Sequence, residues 1–435
     1  MSKWQKISSL QKRTLWGLGL LAALFIALLL GLLSRDSEPV SNEENYPVRL
    51  NSYINNAQSY HSQLDKEVTK FMKRWELHGV QLAVMRGDSL LYAKGYGEAD
   101  VDTEMQPYMT LRVASVSKLV TAAAIMVLCE QGRLSLSDKV LGEQGIIKDS
   151  SLMAVIRDKR HYEITVEHLL RHQAGFSTRL GDPMFRAIDF AAMNRLQQPP
   201  SDWEMCHIVL HRRLSARPGT HHSYSNFGYL LLSLLIERVS GLPYADFVRH
   251  YVLEPAGCYD FHVAGNFYEE KKPSEVRYFM HGNSDEVSCY DLSGRMVERC
   301  YGGNNVTALS GAGAWCCSAP ELMRFVASID GNPAVPDIIS PESVARMVQY
   351  FDKDTYSLGW NDTHPEKGWT RSGSFSGTAA LIQYFPDGDC WIFITNTSTY
   401  KGHNFSRRVS RFFRSCRQKY LSELNPQNLF IPDGV

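Results

Sequence analysis

The stretch Leu111 to Leu128 reads Leu-Arg-Val-Ala-Ser-Val-Ser-Lys-Leu-Val-Thr-Ala-Ala-Ala-Ile-Met-Val-Leu, and beyond Lys118 it is apolar or small on every side. A helix that is apolar all round has no face to give to water, so the rest of the chain has to wrap it. At its head Ser115 and Lys118 stand three residues apart, which places them one turn apart on one face, within mutual reach. A serine in the first turn also sits at the positive end of the helix dipole, where developing negative charge is favoured. Ser9 and Lys12 show the same spacing without such surroundings. The pair therefore acquires meaning only from what accompanies it.

The N-terminus limits where such a domain sits. Lys3, Lys6, Lys12 and Arg13 precede a charge-free apolar run over 15–33, long enough for a helix to cross a bilayer. Leu32-Leu33-Ser34-Arg35 offers no small-residue cleavage pattern, so the run reads as an uncleaved signal-anchor. With the basic residues held inside, this predicts a cytoplasmic leader over 1–14, one N-terminal transmembrane helix over 15–33 and a polar linker over 34–50. The expected location is a membrane crossed once, with the soluble domain outside the cytoplasm. The Lys+Arg and Asp+Glu totals are equal, at 46 each, so no basic excess argues for nucleic acid as a partner.

Nine cysteines would then face an oxidising compartment, and the odd number leaves at least one unpaired. Cys289 and Cys300 flank a turn near Gly294, which would set them opposite each other as a disulfide. Cys316 and Cys317, vicinal and beside a glycine-rich segment, are expected as two buried free thiols. No cysteine spacing resembles a zinc site. His168 and His172, four apart in a helical pattern, invite a metal reading that finds no third ligand nearby, and no metal or cofactor is expected.

Along the chain, Asn51 to Trp75 has helical spacing. Val80–Met85 and Ser89–Gly97 read as two strands joined at Arg86-Gly87-Asp88. The region from about 134 to 301 reads as mostly helical, with a helix capped by Thr165 and another from Asn226 to Ser240, stopped by Gly241. Helices follow at Glu321–Ile329 and Pro341–Tyr350, then strands at Tyr356–Trp360, Trp369–Ser374, Thr378–Phe385 and Cys390–Asn396. A final helix covers Asn404–Leu424, and 425–435 is a tail. Two early strands and a late meander predict an α/β fold of the α+β type. Its antiparallel sheet, built from both ends of the 51–424 domain, is flanked by helices with a helical lobe inserted.

Ser115 needs a base. Tyr224 and Asn226 supply candidates at a loop-to-helix junction: a phenol whose ionised form nearby positive charge from Lys118 would favour, and an amide able to hold Lys118 and a substrate together. Arg371-Ser372-Gly373-Ser374 lies in a late strand. Gly373 would let a substrate backbone come close, and the Ser374 N–H could join that of Ser115 as an oxyanion hole. Arg371 would offer its fork to a substrate carboxylate.

These three elements in this order, Ser115-Val-Ser-Lys118, Tyr224-Ser-Asn226 and Arg371-Ser-Gly373, resemble the class C β-lactamase and D-alanyl-D-alanine carboxypeptidase family of serine hydrolases. So do the flanking strings, Ile164-Thr-Val-Glu-His-Leu-Leu-Arg-His, Gly311-Ala-Gly-Ala-Trp315 and Tyr356-Ser-Leu-Gly-Trp360. The resemblance runs from about Val80 to Asn396 and implies a β-lactamase/transpeptidase-like fold. It implies Ser115 as the acylated nucleophile, Lys118 as its proton-transfer partner, Tyr224 as general base, and Asn226, Arg371, Ser372 and Gly373 in substrate binding. Whether Tyr224 or Lys118 takes the serine proton stays open. The family usually carries Lys or His at the place of Arg371 and Thr or a small residue at the place of Ser372, which counts against true β-lactamase activity. With the resemblance, the expected function is a membrane-anchored, periplasm-facing serine hydrolase of amide or ester bonds, in D-Ala-type peptides or small esters. The expected membrane is then a bacterial inner (cytoplasmic) membrane, with the soluble domain in the periplasm or outside. The rival reading is an idle scaffold of the same fold, for which Arg371 is the sole support.

Overall fold

The computed structural model describes residues 49–282, 286–351 and 356–432. The leader and the expected membrane span over 15–33 lie outside them. Among the described residues no helix is long and apolar enough to cross a membrane.

The chain's two ends build one sheet. Helix α1 (Ser62–Trp75) leads into β1 (Gly79–Arg86) and β2 (Ser89–Asp100). Gly87 and Asp88 both have positive φ between those strands, as a two-residue type I′ turn requires. A short β3 (Thr103–Glu104) and β4 (Leu111–Arg112) precede α2 (Ser117–Glu130). The lobe then runs through α3 (Ser150–Val155), α4 (Val166–Leu170), α5 (Ala187–Met193), α6 (Asp202–Leu210), α7 (Asn226–Ser240) and α8 (Tyr244–Val248). It continues in β5 (His262–Val263), β6 (Glu286–Ser288), β7 (Met296–Glu298) and β8 (Trp315–Cys317). Helices α9 (Ala319–Ala327) and α10 (Pro341–Met347) return the chain to β9 (Asp362–His364), β10 (Gly368–Phe375), β11 (Thr378–Tyr384), β12 (Asp389–Thr395) and the closing helix α11 (Ser406–Tyr420).

The main sheet has the order β3-β2-β1-β12-β11-β10-β9, so the early hairpin joins the late meander through the antiparallel β1–β12 pair, with Leu82 opposite Phe393. Strand alternation separates two cores. Val80, Leu82, Val84, Trp391 and Phe393 meet Leu64 and Val68 of α1 and Phe412 and Phe413 of α11. Ala83, Met85, Ile392 and Ile394 face the opposite way, toward α2 and α9. Every residue of α2 from Ser117 to Leu128 is buried, as its all-round apolar pattern requires.

Several expectations need correction. The first helix does not begin at Asn51. Leu50–Ser52 and Asn56–Gln58 are short 3-10 turns, because Asn55 and Asn56 spend their side chains on local backbone and on the Met105 carbonyl. Tyr356–Trp360 forms no strand. Its Tyr356 carbonyl accepts from Arg171, its Leu358 N–H donates to Met347, and Gly359, at φ +85°, crosses α2 so closely that a Cβ would lie 2.8 Å from that of Ala122. The region after Leu134 alternates short helices with long loops and three short strands rather than being mostly helical.

All nine cysteines are unpaired. The β6–β7 register, Ser288 opposite Met296, brings Cys289 to Arg295 and leaves Cys300 beyond the hairpin's start, so the turn near Gly294 does not align the two thiols. Cys316 and Cys317 are fully buried free thiols, as expected.

Candidate active site

The nucleophile candidate sits on a tight turn between β4 and α2. Ala114 adopts φ +47°, a conformation costing a side chain about 1–3 kcal/mol. It swings the chain so that Ser115 lies in a 3-10 turn, Ala114–Val116, immediately ahead of the helix. Ser115 is therefore not in the helix proper, yet the three-residue spacing still delivers the pair, with Lys118 Nζ 3.3 Å from Ser115 Oγ.

The other partners arrive from the lobe. Tyr224 Oη is 2.7 Å from Ser115 Oγ. Ser225 caps α7, its Oγ accepting from the Gly228 N–H. Asn226 is thereby free to face inward, where its Oδ1 accepts from Lys118 Nζ at 2.6 Å. A second acceptor, the Ala312 carbonyl, lies 2.5 Å from Nζ. The orientation of Asn226 is set by Asp182, whose Oδ2 accepts from both the backbone N–H and the side-chain Nδ2 of Asn226, each at 3.0 Å.

Electrostatics sorts these groups. Lys118 is fully buried, and desolvation, with the positive charge of Arg371 adding to it, pushes its amine well below the ordinary lysine value; Asp182 pulls the other way. Burial pushes the Tyr224 phenol up, against the opposing pull of Arg371 and of the Ser115 hydrogen bond. Burial thus outweighs the nearby positive charge that was expected to favour the phenolate: the amine is driven toward neutrality and the phenol toward its protonated form.

His172 lies under this cluster, its ring centroid 4.3 Å from that of Tyr224, with Nδ1 accepting from the Ser225 N–H. Desolvation first, then the charges of Lys118 and Arg371, push its imidazole well below the usual value. A neutral ring with Nδ1 accepting carries its proton on Nε2. The helical spacing with His168 does not hold, because α4 ends at Leu170 and His172 has φ +56°. His168 Nδ1 instead accepts from the Thr165 N–H in the capping box of α4. The two imidazoles serve separate structural contacts.

Strand β10 closes the site. Arg371 is the main correction: it is completely buried, and its Nε and Nη2 both donate to the Ser115 carbonyl, at 2.8 and 2.5 Å. It grips the nucleophile's own backbone rather than offering a fork to a substrate. Gly373 allows a close approach, as expected, but to the protein itself: a Cβ there would lie 2.2 Å from the Val113 carbonyl and 3.0 Å from the Ser115 nitrogen. Ser372 and Ser374 point to the other side and line an open cavity of about 1460 Å³, together with Ser115, Tyr224 and Asn226. The Ser372 N–H and hydroxyl both donate to Asn361 Oδ1, at 2.6 and 3.1 Å. Asp182, Asn361, His172 and the Ala312 carbonyl had not been singled out for these roles. Asp182-Pro183 carries only a turn signal and Asn361 none, while His172 and Ala312 fall inside the family-like strings Ile164–His172 and Gly311–Trp315, which mark the segments but not these roles.

An antiparallel sheet interrupted by a helical lobe, with a serine one turn ahead of a buried lysine and a tyrosine across the cleft, defines a β-lactamase/transpeptidase-type serine hydrolase. The profile of the beta-lactamase family matches residues 64–411, and the chain belongs to that family. It is 27% identical to penicillin-binding protein 4* of Bacillus subtilis over 337 residues, covering 74% of this chain and 69% of that protein. It is 25% identical over 228 residues to protein flp of Staphylococcus aureus, covering 52% of this chain but only 43% of that longer protein. Among solved structures, the D-amino acid amidase of Ochrobactrum anthropi SV3 superposes with a TM-score of 0.61 over 82% of this chain and 99% of the amidase. At 18% identity that likeness speaks for the fold alone.

Proposed function

We propose that the protein hydrolyses amide or ester bonds through an acyl-enzyme on Ser115, with Lys118 as the base and Tyr224 as the proton donor to the leaving group. The observation that carries this reading is the convergence of the amine and the phenol on one hydroxyl, at 3.3 and 2.7 Å. A neutral amine has two N–H donors and one lone pair. The Asn226 Oδ1 and Ala312 carbonyl take the two donors, which leaves the lone pair for the Ser115 hydroxyl. As Oγ bonds to the substrate carbonyl carbon, its proton passes to Lys118 Nζ. The backbone N–H groups of Ser115 and Ser374 hold the oxyanion. Collapse expels the amine or alcohol, which takes a proton from Tyr224 Oη, and Lys118 restores the phenol. Water then attacks the ester carbonyl with the same groups in reversed roles, releasing the acid and Ser115.

D-Ala-type peptides and small esters are the proposed substrates. The relative named as a penicillin-binding protein supports the peptide class. The charge-free apolar run over 15–33, with basic residues before it, supports a tether to a bacterial inner membrane and a periplasmic catalytic domain. Arg371, the departure that suggested an idle scaffold, leaves the serine, lysine and tyrosine in reach of one another and so gives that reading little weight.

The test is active-site labelling of wild type and Ser115→Ala with a fluorescent penicillin and a fluorophosphonate. Labelling of wild type alone by both probes supports a penicillin-recognising peptidase, and by the fluorophosphonate alone an esterase. Folded wild-type protein that takes neither label overturns the hydrolase.

A further inference from the structure

The cavity that opens on Ser115 does not stop at the reacting groups. It continues across the outer face of β10 and β11, past Ser372, Ser374 and Leu381, to the flank of α11, where Arg407, Arg411 and Arg414 line it. The register makes this floor continuous, since Ser372 lies opposite Leu381 and Leu381 opposite Phe393. Helix α11 packs its Val409, Phe412 and Phe413 on the sheet's outer core, while the outer positions of β10 are the hydroxyl residues Thr370, Ser372 and Ser374, facing the cavity. The volume, about 1460 Å³, exceeds the roughly 300–1,000 Å³ of a site for one small ligand.

The charge on that flank is one-sided. Helix α11 carries Arg407, Arg408, Arg411, Arg414, Arg417 and Lys419 and no acidic residue. Arg417 pairs with Asp387 and Asp389. Arg411 and Arg414 are exposed, and among the described residues neither has a carboxylate partner. Arg414 Nη1 donates to Ser410 Oγ, and Ser410 in turn donates to Gln383 Oε1 on β11, which ties that part of the helix to the sheet. Arginines in the first turn of a helix oppose its dipole, so Arg407 and Arg408 cost the helix stability that a bound anion there would offset.

Resting on the hydrolase reading above, we propose that the enzyme takes an extended acidic peptide whose reacting carbonyl sits at Ser115 and whose carboxylate, several residues away, is held by Arg411 and Arg414. Such a chain would lie along the hydroxyl-lined face of β10. The two guanidinium forks give the bidentate geometry that suits carboxylates. Because these groups are exposed, their attraction is screened by salt. They add affinity for the remote part of the substrate and touch no reacting atom.

The experiment compares two nitrophenyl esters of equal length, one extended by glutamates and one by glutamines, on the full chain and on the double variant Arg411→Gln/Arg414→Gln. Wild type is expected to favour the acidic ester in KM, the preference falling as sodium chloride rises. In the variant the ratio of the two kcat/KM values should drop about five- to tenfold, with the change in KM. A ratio that stays constant while both rates fall overturns the proposal, since that is what mere damage to the helix produces. A second arm measures binding of fluorescent oligoglutamate to Ser115→Ala, which needs no turnover; loss of hydrolysis with binding intact separates failure of the hydrolase reading from failure of this one. Binding of Ser115→Ala to vesicles rich in phosphatidylserine, abolished by the double variant and not competed by oligoglutamate, would assign the arginines to a lipid surface and overturn the peptide role.

Discussion

Lys118 Nζ stands 3.3 Å from Ser115 Oγ while its two shorter contacts, to Asn226 Oδ1 and the Ala312 carbonyl, are both to oxygens that only accept. The Asn226 amide cannot be turned to offer its nitrogen instead, because that nitrogen donates to Asp182. The surroundings of the amine therefore accommodate the neutral form with nothing left unmatched, and burial with the charge of Arg371 favours that form.

If Lys118 is the base, charge alone will not replace it. Lys118→Arg keeps a cation three residues from Ser115 but cannot give up its proton near neutral pH. Acylation by an activated ester should fall about 10²- to 10⁴-fold, with the folded state confirmed by circular dichroism. The wild-type rate should rise with pH through the titration of Lys118, whose folded value lies well below 10.5, because the protonated form dominates below it. Near-normal acylation by the arginine variant would exclude the amine as base.

Tyr224 should behave as an acid. Burial raises its phenol, so the proton stays on at neutral pH and is available to a departing amine. Tyr224→Phe is expected to slow hydrolysis of an anilide or peptide amide about 10²- to 10³-fold. A nitrophenyl ester, whose leaving group departs unprotonated, should lose about tenfold or less. Equal losses on both substrates would instead make the phenol the group that deprotonates Ser115.

What could be read from residues alone was what local spacing decides. The i, i+3 relation of Ser115 and Lys118 survives the replacement of a helical turn by a 3-10 turn, since either brings the two side chains together. The span of α7 from Asn226 to Ser240 was legible from its leucine-rich pattern and from Gly241, and with it the place of Tyr224 just before the helix, although its Ser225 cap was not. Arg371 was misread because alternation along β10 says which residues share a face, not which face borders the cleft. Positions 371 and 373 turn toward the nucleophile, and 372 and 374 toward the cavity. Asp182 could not be found at all: its carboxylate meets Asn226 only because a loop 44 residues upstream folds back on the start of α7.

Away from the site, Glu321 on α9 should make stability fall as pH rises. Its carboxyl is buried, with Oε1 accepting from the Tyr259 and Asp260 N–H groups at 2.7 and 3.0 Å and Oε2 without a partner. Desolvation pushes it up from 4.5 to about 8. Between those values the folded state binds the extra proton, so its contribution is complete below about 4.5 and is lost as pH climbs to about 8, by up to roughly 1.4 kcal/mol per pH unit. Glu321→Gln preserves the two accepted hydrogen bonds and cannot ionise. Urea unfolding at pH 5 and pH 8 should show the variant gaining on wild type at the higher pH; parallel curves would mean that Glu321 ionises freely.

Arg371 and Asp182 act on Lys118 with opposite signs, the guanidinium lowering its amine and the carboxylate raising it. Removing each charge should therefore move the acidic limb of the pH–rate profile in opposite directions. Arg371→Met relieves a repulsion, so Lys118 holds its proton to higher pH and the limb moves up. Asp182→Asn removes an attraction while its amide oxygen can still accept from Asn226, so the limb moves down. The arginine variant also leaves the Ser115 carbonyl without its two donors, which should cost about 1–3 kcal/mol of stability. Its loss of rate should be the same on neutral esters and on esters bearing a free carboxylate, since the guanidinium grips the backbone and not the substrate. Limbs that shift in the same direction would break the link between these two charges and the base, and a selective loss on carboxylate-bearing esters would restore Arg371 to the substrate.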